Sequence, residues 1–366
     1  MNLTALSRAV RPRTSAVVFD AGQGGVRAAQ ARGRGAQRAL TDLLAVEFVA
    51  GEPPTGGAPS LTDPARLGRL ARLIGQGRFR GRDAAVVLAP PDVYYHAMRF
   101  PESALKQSPQ RVIEALAWEL ARETRADAAE LEVRYWELPH GHREGFNVMA
   151  VAMPARNAEL LADALGAHEL RLTRIESSAS ALARAARLSV DPGSRDLWGI
   201  LDVGRTRSQL IAVVGETPVY VRSLPISSDE WTRLLAEGFE VSPAVAETLK
   251  RAHGLLGSDR AECEASPLED VSGVSMRLLR ASLERLVREI NVCLSYALQY
   301  YADTNVTRIE LAGGGARMRG LREYLESIIG VPVGIALGGA AGARLRADAG
   351  PEAAAAIGAA LLELEA

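Results

Sequence analysis

Two acidic residues carry the chemistry most legible in this sequence, and each ends an apolar, β-branched run in the same way. Asp20 closes SAVVFD and Asp202 closes WGILD; each is followed by one residue, a glycine (Gly22, Gly204) and a second apolar run. The pattern reads as a strand, an Asp-x-Gly turn and a returning strand, a hairpin whose tip lets backbone N–H groups approach phosphate oxygens. A carboxylate at the end of a buried strand is costly to desolvate unless it is hydrogen-bonded or faces a cation. Taken one at a time, Asp-x-Gly sequences cap tight turns. Two copies 182 residues apart (202 minus 20), one in each half of the chain, predict a clamp in which both carboxylates face one anion and its metal. Mg²⁺ suits such a pair, held through retained waters while phosphates supply direct ligands.

A third element, IELAGGGARMRGL, sets Gly313, Gly314, Gly315 and Ala316 between a strand and a helix. Without side chains the backbone there can lie against a ribose or an adenine. No GxxxxGK occurs and Gly313 lacks GxGxxG spacing, which excludes the two common phosphate signatures. Glu247 and Lys250, in AETLKRAHG, stand three apart on one helical face and offer an acceptor and a donor to ribose hydroxyls and base. Such a pair is more often an exposed ion pair worth little. Lysine is rare here, however: Lys106 and Lys250 are the only two against an arginine-rich background. His140, His142 and Glu144 sit in loop sequence with no fourth ligand, and Ser177-Ser178-Ala179-Ser180 lacks the Gly-x-Ser-x-Gly elbow of a serine nucleophile.

The elements that must position these turns follow from periodicity. At 366 residues and 48% hydrophobic the chain can bury a large core and predicts two domains. Residues 16 to 50 read as three strands, 51 to 60 as a Gly/Pro loop, and a helix follows from Asp63 through Leu67, Leu70 and Ile74. AAVVLAP, YYHAMRFP, LEVRYWEL and FNVMAVAMP read as strands, with a helix begun at Ser108-Pro109 and others near Glu159–Leu165 and Ser177–Leu188. DPGSRD reads as a linker. In the second half the longest helix, about 276 to 302, carries Leu279, Leu283, Leu286, Ile290, Leu294, Ala297 and Tyr301 as one apolar stripe. A helix begun by Pro351 ends the sequence with small-residue packing. The balance of 43 basic against 44 acidic residues favours neither nucleic acid nor an anionic membrane. Cys263 and Cys293 are too few for a disulfide framework, and no segment reads as a signal peptide or membrane span.

Two Asp-x-Gly hairpins, an AExLK helix and an LxGGG turn, in this order, resemble the actin-like ATPase superfamily that includes actin, Hsp70, sugar kinases and FtsA. VYYHAMRFPE, EALAWELARE, RADAAELEVRYWEL, VMAVAMP and LTRIESSASALARAARL look like the inserted subdomain and following helix of the PilM family of type IV pilus assembly proteins. REINVCLSYALQYYADTNVTRIELAGGGARMRGLREYLESIIGVPV looks like that family's last nucleotide segment, and the resemblance covers residues 15 to 366.

The resemblance implies an α/β, actin-like (ribonuclease H-like, duplicated) two-lobed fold with an inserted α+β subdomain in the first lobe. Its bounds would be an extension over 1–15, a first lobe over 16–188 with its insert at 84–165, a linker at 189–197, a second lobe over 198–350, and a helix over 351–366 packing back on the lobes. It implies a cytoplasmic scaffold, peripheral to the inner membrane through a partner, that binds ATP and Mg²⁺ between the lobes with little or no hydrolysis. The implied partners are the cytoplasmic N-terminal tail of a PilN-like membrane protein, in a groove near Tyr94–Phe100 and the Trp118 helix, and pilus motor or platform components. Carried over, Asp20, Gly22, Gln23 and Gly24 form the first phosphate hairpin and Asp202, Gly204, Arg205 and Thr206 the second. Glu247 and Lys250 take the ribose and base, Gly313 to Ala316 the adenosine, and Asp20 and Asp202 the Mg²⁺. Asp202 is the candidate for any catalysis. The first hairpin, Gln23-Gly24-Gly25, lacks the Ser/Thr hydroxyls usual in the family, so phosphate there would rest on backbone donors. Other readings of the same pattern are a catalytic ATPase or phosphotransferase, a type II secretion platform relative, and a degenerate actin-like protein without nucleotide.

Overall fold

The β-branched runs and their Asp-x-Gly turns build two sheets with one strand order. The computed structural model describes residues 13–22, 25–33, 39–47, 74, 79–124, 127–141, 145–189, 196–255, 267–301, 305–338 and 349–364. In the first sheet β2 (Val17–Gly22) and β4 (Ala39–Glu47) flank β3 (Gly25–Gly33) antiparallel, and β3 also pairs the short β1 (Arg13–Thr14). β5 (Asp83–Leu88) then lies parallel to β2, and β9 (Arg171–Ser177) parallel to β5 at the edge. In the second sheet β10 (Leu197–Val203), β11 (Ser208–Val214) and β12 (Thr217–Leu224) form the antiparallel part, with β13 (Val306–Ala312) and β14 (Val333–Ile335) parallel beyond β10. Thus β4-β3-β2-β5-β9 repeats as β12-β11-β10-β13-β14. Asp20 and Asp202 occupy equivalent places in the two copies.

Between β5 and β9 lies a separate antiparallel sheet of β6 (Tyr94–Met98), β8 (Val148–Pro154) and β7 (Leu131–Glu137), in that spatial order. Helix α1 (Pro109–Thr124) covers it by burying Val112, Leu116 and Leu120 against Val133, Val148 and Ala150. The insert is narrower than the expected 84–165. β5 is a strand of the first sheet, and α2 (Ala155–Gly166) puts Leu161 and Leu165 into the first-lobe core. β9 escapes a periodicity reading because its apolar Leu172 and Ile175 stand three apart among Thr173, Arg174 and Glu176, without the period-2 alternation of a strand.

Two alanine-rich helices, α3 (Ser178–Ala186) and α8 (Ala354–Leu362), share the core that holds Val18 and Ala85 of the first sheet and Trp198 and Ile200 of the second. Their backbones nearly touch. A Cβ on Gly358 would lie 1.9 Å from the Ala181 carbonyl oxygen, so only glycine fits there. The second lobe adds α4 (Ser228–Phe239), α5 (Pro243–Ala252), α6 (Pro267–Tyr300) and α7 (Leu321–Ile329). Helix α6 starts nine residues earlier than the apolar stripe suggests, and every residue of that stripe is buried. The helix expected from Asp63 lies, apart from Ile74, outside the described residues, as do most of the DPGSRD linker, His142, Glu144 and Cys263.

Candidate nucleotide cleft

Each acidic turn is positioned by its own sheet register. Asp20 faces Arg27 across the β2–β3 ladder and Asp202 faces Gln209 across β10–β11. The parallel pairing of β10 with β13 sets Asp202 beside Ala312, so the glycine turn leaves the sheet next to the second carboxylate. Ligands of open α/β sheets collect at such carboxyl ends of strands. Here all three turns wall one cleft of about 230 Å³: Asp20 and Gly22 from the first lobe, and Asp202, Gly204 and Gly313–Gly315 from the second.

The glycine turn shows why side chains are missing from it. Gly313 has φ +80°, and a Cβ there would lie 2.3 Å from Asp202 Oδ1 and 2.6 Å from the Val203 carbonyl oxygen. A Cβ on Gly315 would lie 2.3 Å from Val203 Cγ1, whereas Gly314 has no such neighbour. The outer glycines allow contact with β10, and the middle one leaves open space. Ala316 is buried in the second-lobe core and is not part of the cleft wall.

Electrostatically the floor is a carboxylate pair with one arginine. Burial pushes Asp20 up to about 6; the Arg27 guanidinium opposes this and the nearby Asp202 charge reinforces it. Asp202 is likewise raised by burial, against the Gln209 hydrogen bond and Arg27. Gln209 Nε2 donates to Asp202 Oδ2 at 2.8 Å, which fixes that carboxylate. Arg27 was not singled out in the sequence. It is 8% exposed, lines the cleft, and its Nε is buried without a hydrogen-bond partner among the described residues. Its only signal was a charge in the apolar run VRAAQA, seven residues past Asp20.

The second hairpin is more committed. Arg205 Nε pairs with Asp229 Oδ2 at 2.9 Å, while Thr206 and Arg207 line the cleft beside it. Ser208 does not face the cleft; its Oγ donates to the Ile226 carbonyl at 2.8 Å. Gln23 and Gly24 of the first hairpin lie outside the described residues.

Glu247 and Lys250 part company. Glu247 lines the cleft, and so does Arg251, which no sequence motif marks. Lys250 does not: it is 2% exposed and donates to the Ser228 carbonyl (3.0 Å), Ser228 Oγ (2.6 Å) and Thr232 Oγ1 (2.7 Å), with Glu247 Oε2 at 2.6 Å. Its donors are used inside the lobe, so the expected base-reading role is replaced by one of pinning α5 to α4. Burial alone would raise the Glu247 carboxyl, but the Lys250 charge and bonds from Lys250, Thr232 and Arg251 hold it at about 2. Glu352, ion-paired with Arg317, completes the wall and had no sequence signal.

The family model of the cell division protein FtsA matches residues 200–358. Among solved structures, the chain is similar to the PilM-PilN type IV pilus biogenesis complex with a TM-score of 0.72 and 22% identity, over 97% of this chain and 100% of that one. The fold is that of the actin-like ATPases. The same actin-like fold is shared, at 14% identity and TM-score 0.52, with the ethanolamine utilization protein EutJ from Carboxydothermus hydrogenoformans, over 96% of this chain and 90% of that one. MreB 5 of Spiroplasma citri, bound to AMPPNP, matches at 13% identity and TM-score 0.51 over 97% and 96%. No curated protein matches the chain in sequence.

In the actin-like frame the cleft lies between the lobes and the three-stranded sheet is an insert of the first. A second concavity, about 450 Å³, runs between that insert and the first lobe. Its walls are Leu172–Ser177 of the edge strand β9, with Trp136 and Arg134 of β7 and Val151 and Met153 of β8. Val93 lines this concavity, while none of Tyr94–Phe100 does and Trp118 stands 71% exposed on α1. Among the described residues no helix is long and apolar enough to cross a membrane.

Proposed function

We propose that this chain is an actin-like nucleotide-binding scaffold of a type IV pilus assembly platform, cytoplasmic and held at the inner membrane by docking the cytoplasmic N-terminal tail of a PilN-like protein. The observation that carries the reading is the full-length likeness to the PilM-PilN complex, insert included, in a chain whose three turns converge on one cleft. ATP would sit with its phosphates between Gly22 and Gly204, facing Arg27 and Thr206, and its adenosine against Gly313–Gly315 and Glu247. The residues fit such a ligand: Arg27 Nε is buried and unpartnered among the described residues, and Gly314 opens a space that a side chain would fill. Among the described residues no three His, Cys, Asp or Glu side chains cluster to hold a metal, so Mg²⁺ facing Asp20 and Asp202 would take its other ligands from phosphate and water. A bound cation would neutralise the two carboxylates that burial now raises.

Nucleotide serves in this reading as a switching ligand with little turnover, because Asp202 is tied to Gln209 and the first hairpin has no hydroxyl donor of its own. The tail seats in the groove along β9, whose outer edge has no strand partner among the described residues and whose walls are largely apolar. Calorimetric titration with Mg-ATP tests the cleft, with Asp20→Ala as control, and pull-down of the protein on the N-terminal peptide of a PilN-like partner tests the groove. Micromolar binding lost in the variant, together with retention on the peptide, is the expected result. No heat at protein concentrations well above tens of micromolar would leave a degenerate actin-like protein. Steady ATP turnover removed by Asp202→Ala would make it a catalytic ATPase instead.

A further inference from the structure

We propose that Tyr95 couples the groove to the cleft, so that a peptide bound along β9 and a nucleotide between the lobes change one another's affinity. The proposal rests on the two-site reading above and adds its regulation. Tyr95 stands on β6 of the insert, and its ring meets that of Trp136 edge-on, centroids 6.5 Å apart. Trp136 lines the groove and donates through Nε1 to the Pro218 carbonyl of the second lobe at 2.8 Å. On its other side the Tyr95 hydroxyl lies 3.4 Å from Ser178 Oγ and accepts from the Ala179 N–H at 3.3 Å, both in the first turn of α3.

From that turn the path crosses to the second lobe. The Ser178 hydroxyl exchanges hydrogen bonds with the Gln209 side-chain amide at 3.0 and 3.1 Å, and the same amide donates to Asp202 at 2.8 Å. Because Ser178 donates to Gln209 Oε1, the Tyr95 hydroxyl is the donor to Ser178. The residues flanking Ser178 complete the geometry: Ser177 and Ser180 form part of the groove wall itself. One helix start therefore presents Ser177 and Ser180 to the groove and Ser178 to the carboxylate clamp. Tyr95 also packs against three hydrophobic cores, the interlobe one, that of the first lobe, and the one joining the insert to the second lobe. A movement of the insert against either lobe therefore disturbs the packing of its side chain.

A ligand shifts an equilibrium only by the difference in its affinity for the two states, and the effect is reciprocal. The differential contact here is Asp202: a nucleotide-borne cation competes with Gln209 for that carboxylate, and any change in the Gln209 amide reaches Ser178, then the Tyr95 hydroxyl, then Trp136 in the groove wall. Tyr95 lines neither the cleft nor the groove, so its part is positional.

The test is to titrate the N-terminal peptide of the PilN-like partner into the full chain without nucleotide and with saturating Mg-AMPPNP, and then Mg-AMPPNP with and without saturating peptide. Wild type is expected to show at least a roughly fivefold change in peptide affinity, matched by the same factor for nucleotide. Tyr95→Phe keeps the ring and loses the hydroxyl; each ligand alone should bind it within about threefold of wild type while the coupling factor falls to near one. Ser178→Ala should do the same. Equal peptide affinity with and without nucleotide in wild type, or an unchanged factor in both variants, overturns the coupling and leaves the two sites standing. Failure of either ligand to bind wild type overturns the two-site reading itself.

Discussion

The hairpin of Asp20 and the hairpin of Asp202 hold the same place in two sheets of one strand order, and they differ in how their polar groups are spent. The second is fastened. The Ser228 and Asp229 N–H groups donate to the Gly204 and Arg205 carbonyls at 3.0 and 2.9 Å, Arg205 is paired, Ser208 is bonded inward, and Gln209 holds the carboxylate. In the first, Arg27 reaches only the Gly25 carbonyl, at 3.4 Å among the described residues, and keeps a buried N–H without a partner. Duplication has kept the chain path and divided the chemistry, giving one lobe a preformed rim and the other an uncommitted charge.

That contrast can be broken most forcefully through Lys250, which bonds Ser228 and so anchors the helix start beneath the second hairpin. Removing one partner of a buried charge pair costs about 3–5 kcal/mol, so Lys250→Met should lower stability by about 3 kcal/mol or more in urea unfolding. A loss below about 1 kcal/mol would mean that the second hairpin is held by other means. Next, Arg27→Ala should weaken Mg-AMPPNP binding by about 100-fold, the worth of a desolvated charge-assisted contact. Arg205→Ala should weaken it by about tenfold or less, its guanidinium being engaged with Asp229. Equal losses would erase the distinction between the two hairpins.

Asp20 gives a smaller and opposite effect. Its folded pKa of about 6 lies above the ordinary 3.8, so the contribution of its protonation is present below the unfolded value and lost as pH rises through the folded one. Asp20→Asn should therefore stabilise the ligand-free protein at pH 8, by about 1–2 kcal/mol after allowing for its partial exposure to the cleft, and leave it unchanged near pH 4. Denaturant midpoints at both pH values check this, and metal-dependent nucleotide binding should fade below about pH 6 in wild type. Smallest is Thr206→Ala, expected to alter nucleotide affinity by about threefold at most, since backbone donors dominate at the hairpin tips.

Much of this architecture could be read from residue order. The apolar runs around Asp20 and Asp202 and the glycines at 313–315 announced three turns that meet at one cleft, because strand period and turn chemistry are local properties. What escaped was whatever depends on the neighbouring element. Helical spacing placed Glu247 and Lys250 on one face but could not say that α4 covers the lysine's end of it. Arg27 was lost among the many arginines of the chain, since its importance lies in what surrounds it. The edge of the insert is not legible in residue order because β5 looks alike whether it pairs with β6 or, as it does, with β2 and β9.

Helix α8 has a consequence for how the chain is made. Residues 354–362 fill the space between sheets whose strands begin near residue 13, and the Ala16 N–H is bonded by Glu363. During synthesis each sheet can form once its own strands emerge, but their shared alanine seam stays incomplete until these late residues leave the ribosome. Until residues 354–362 have emerged, the nascent protein would thus hold two sheets without their shared seam, with apolar surface bare between them.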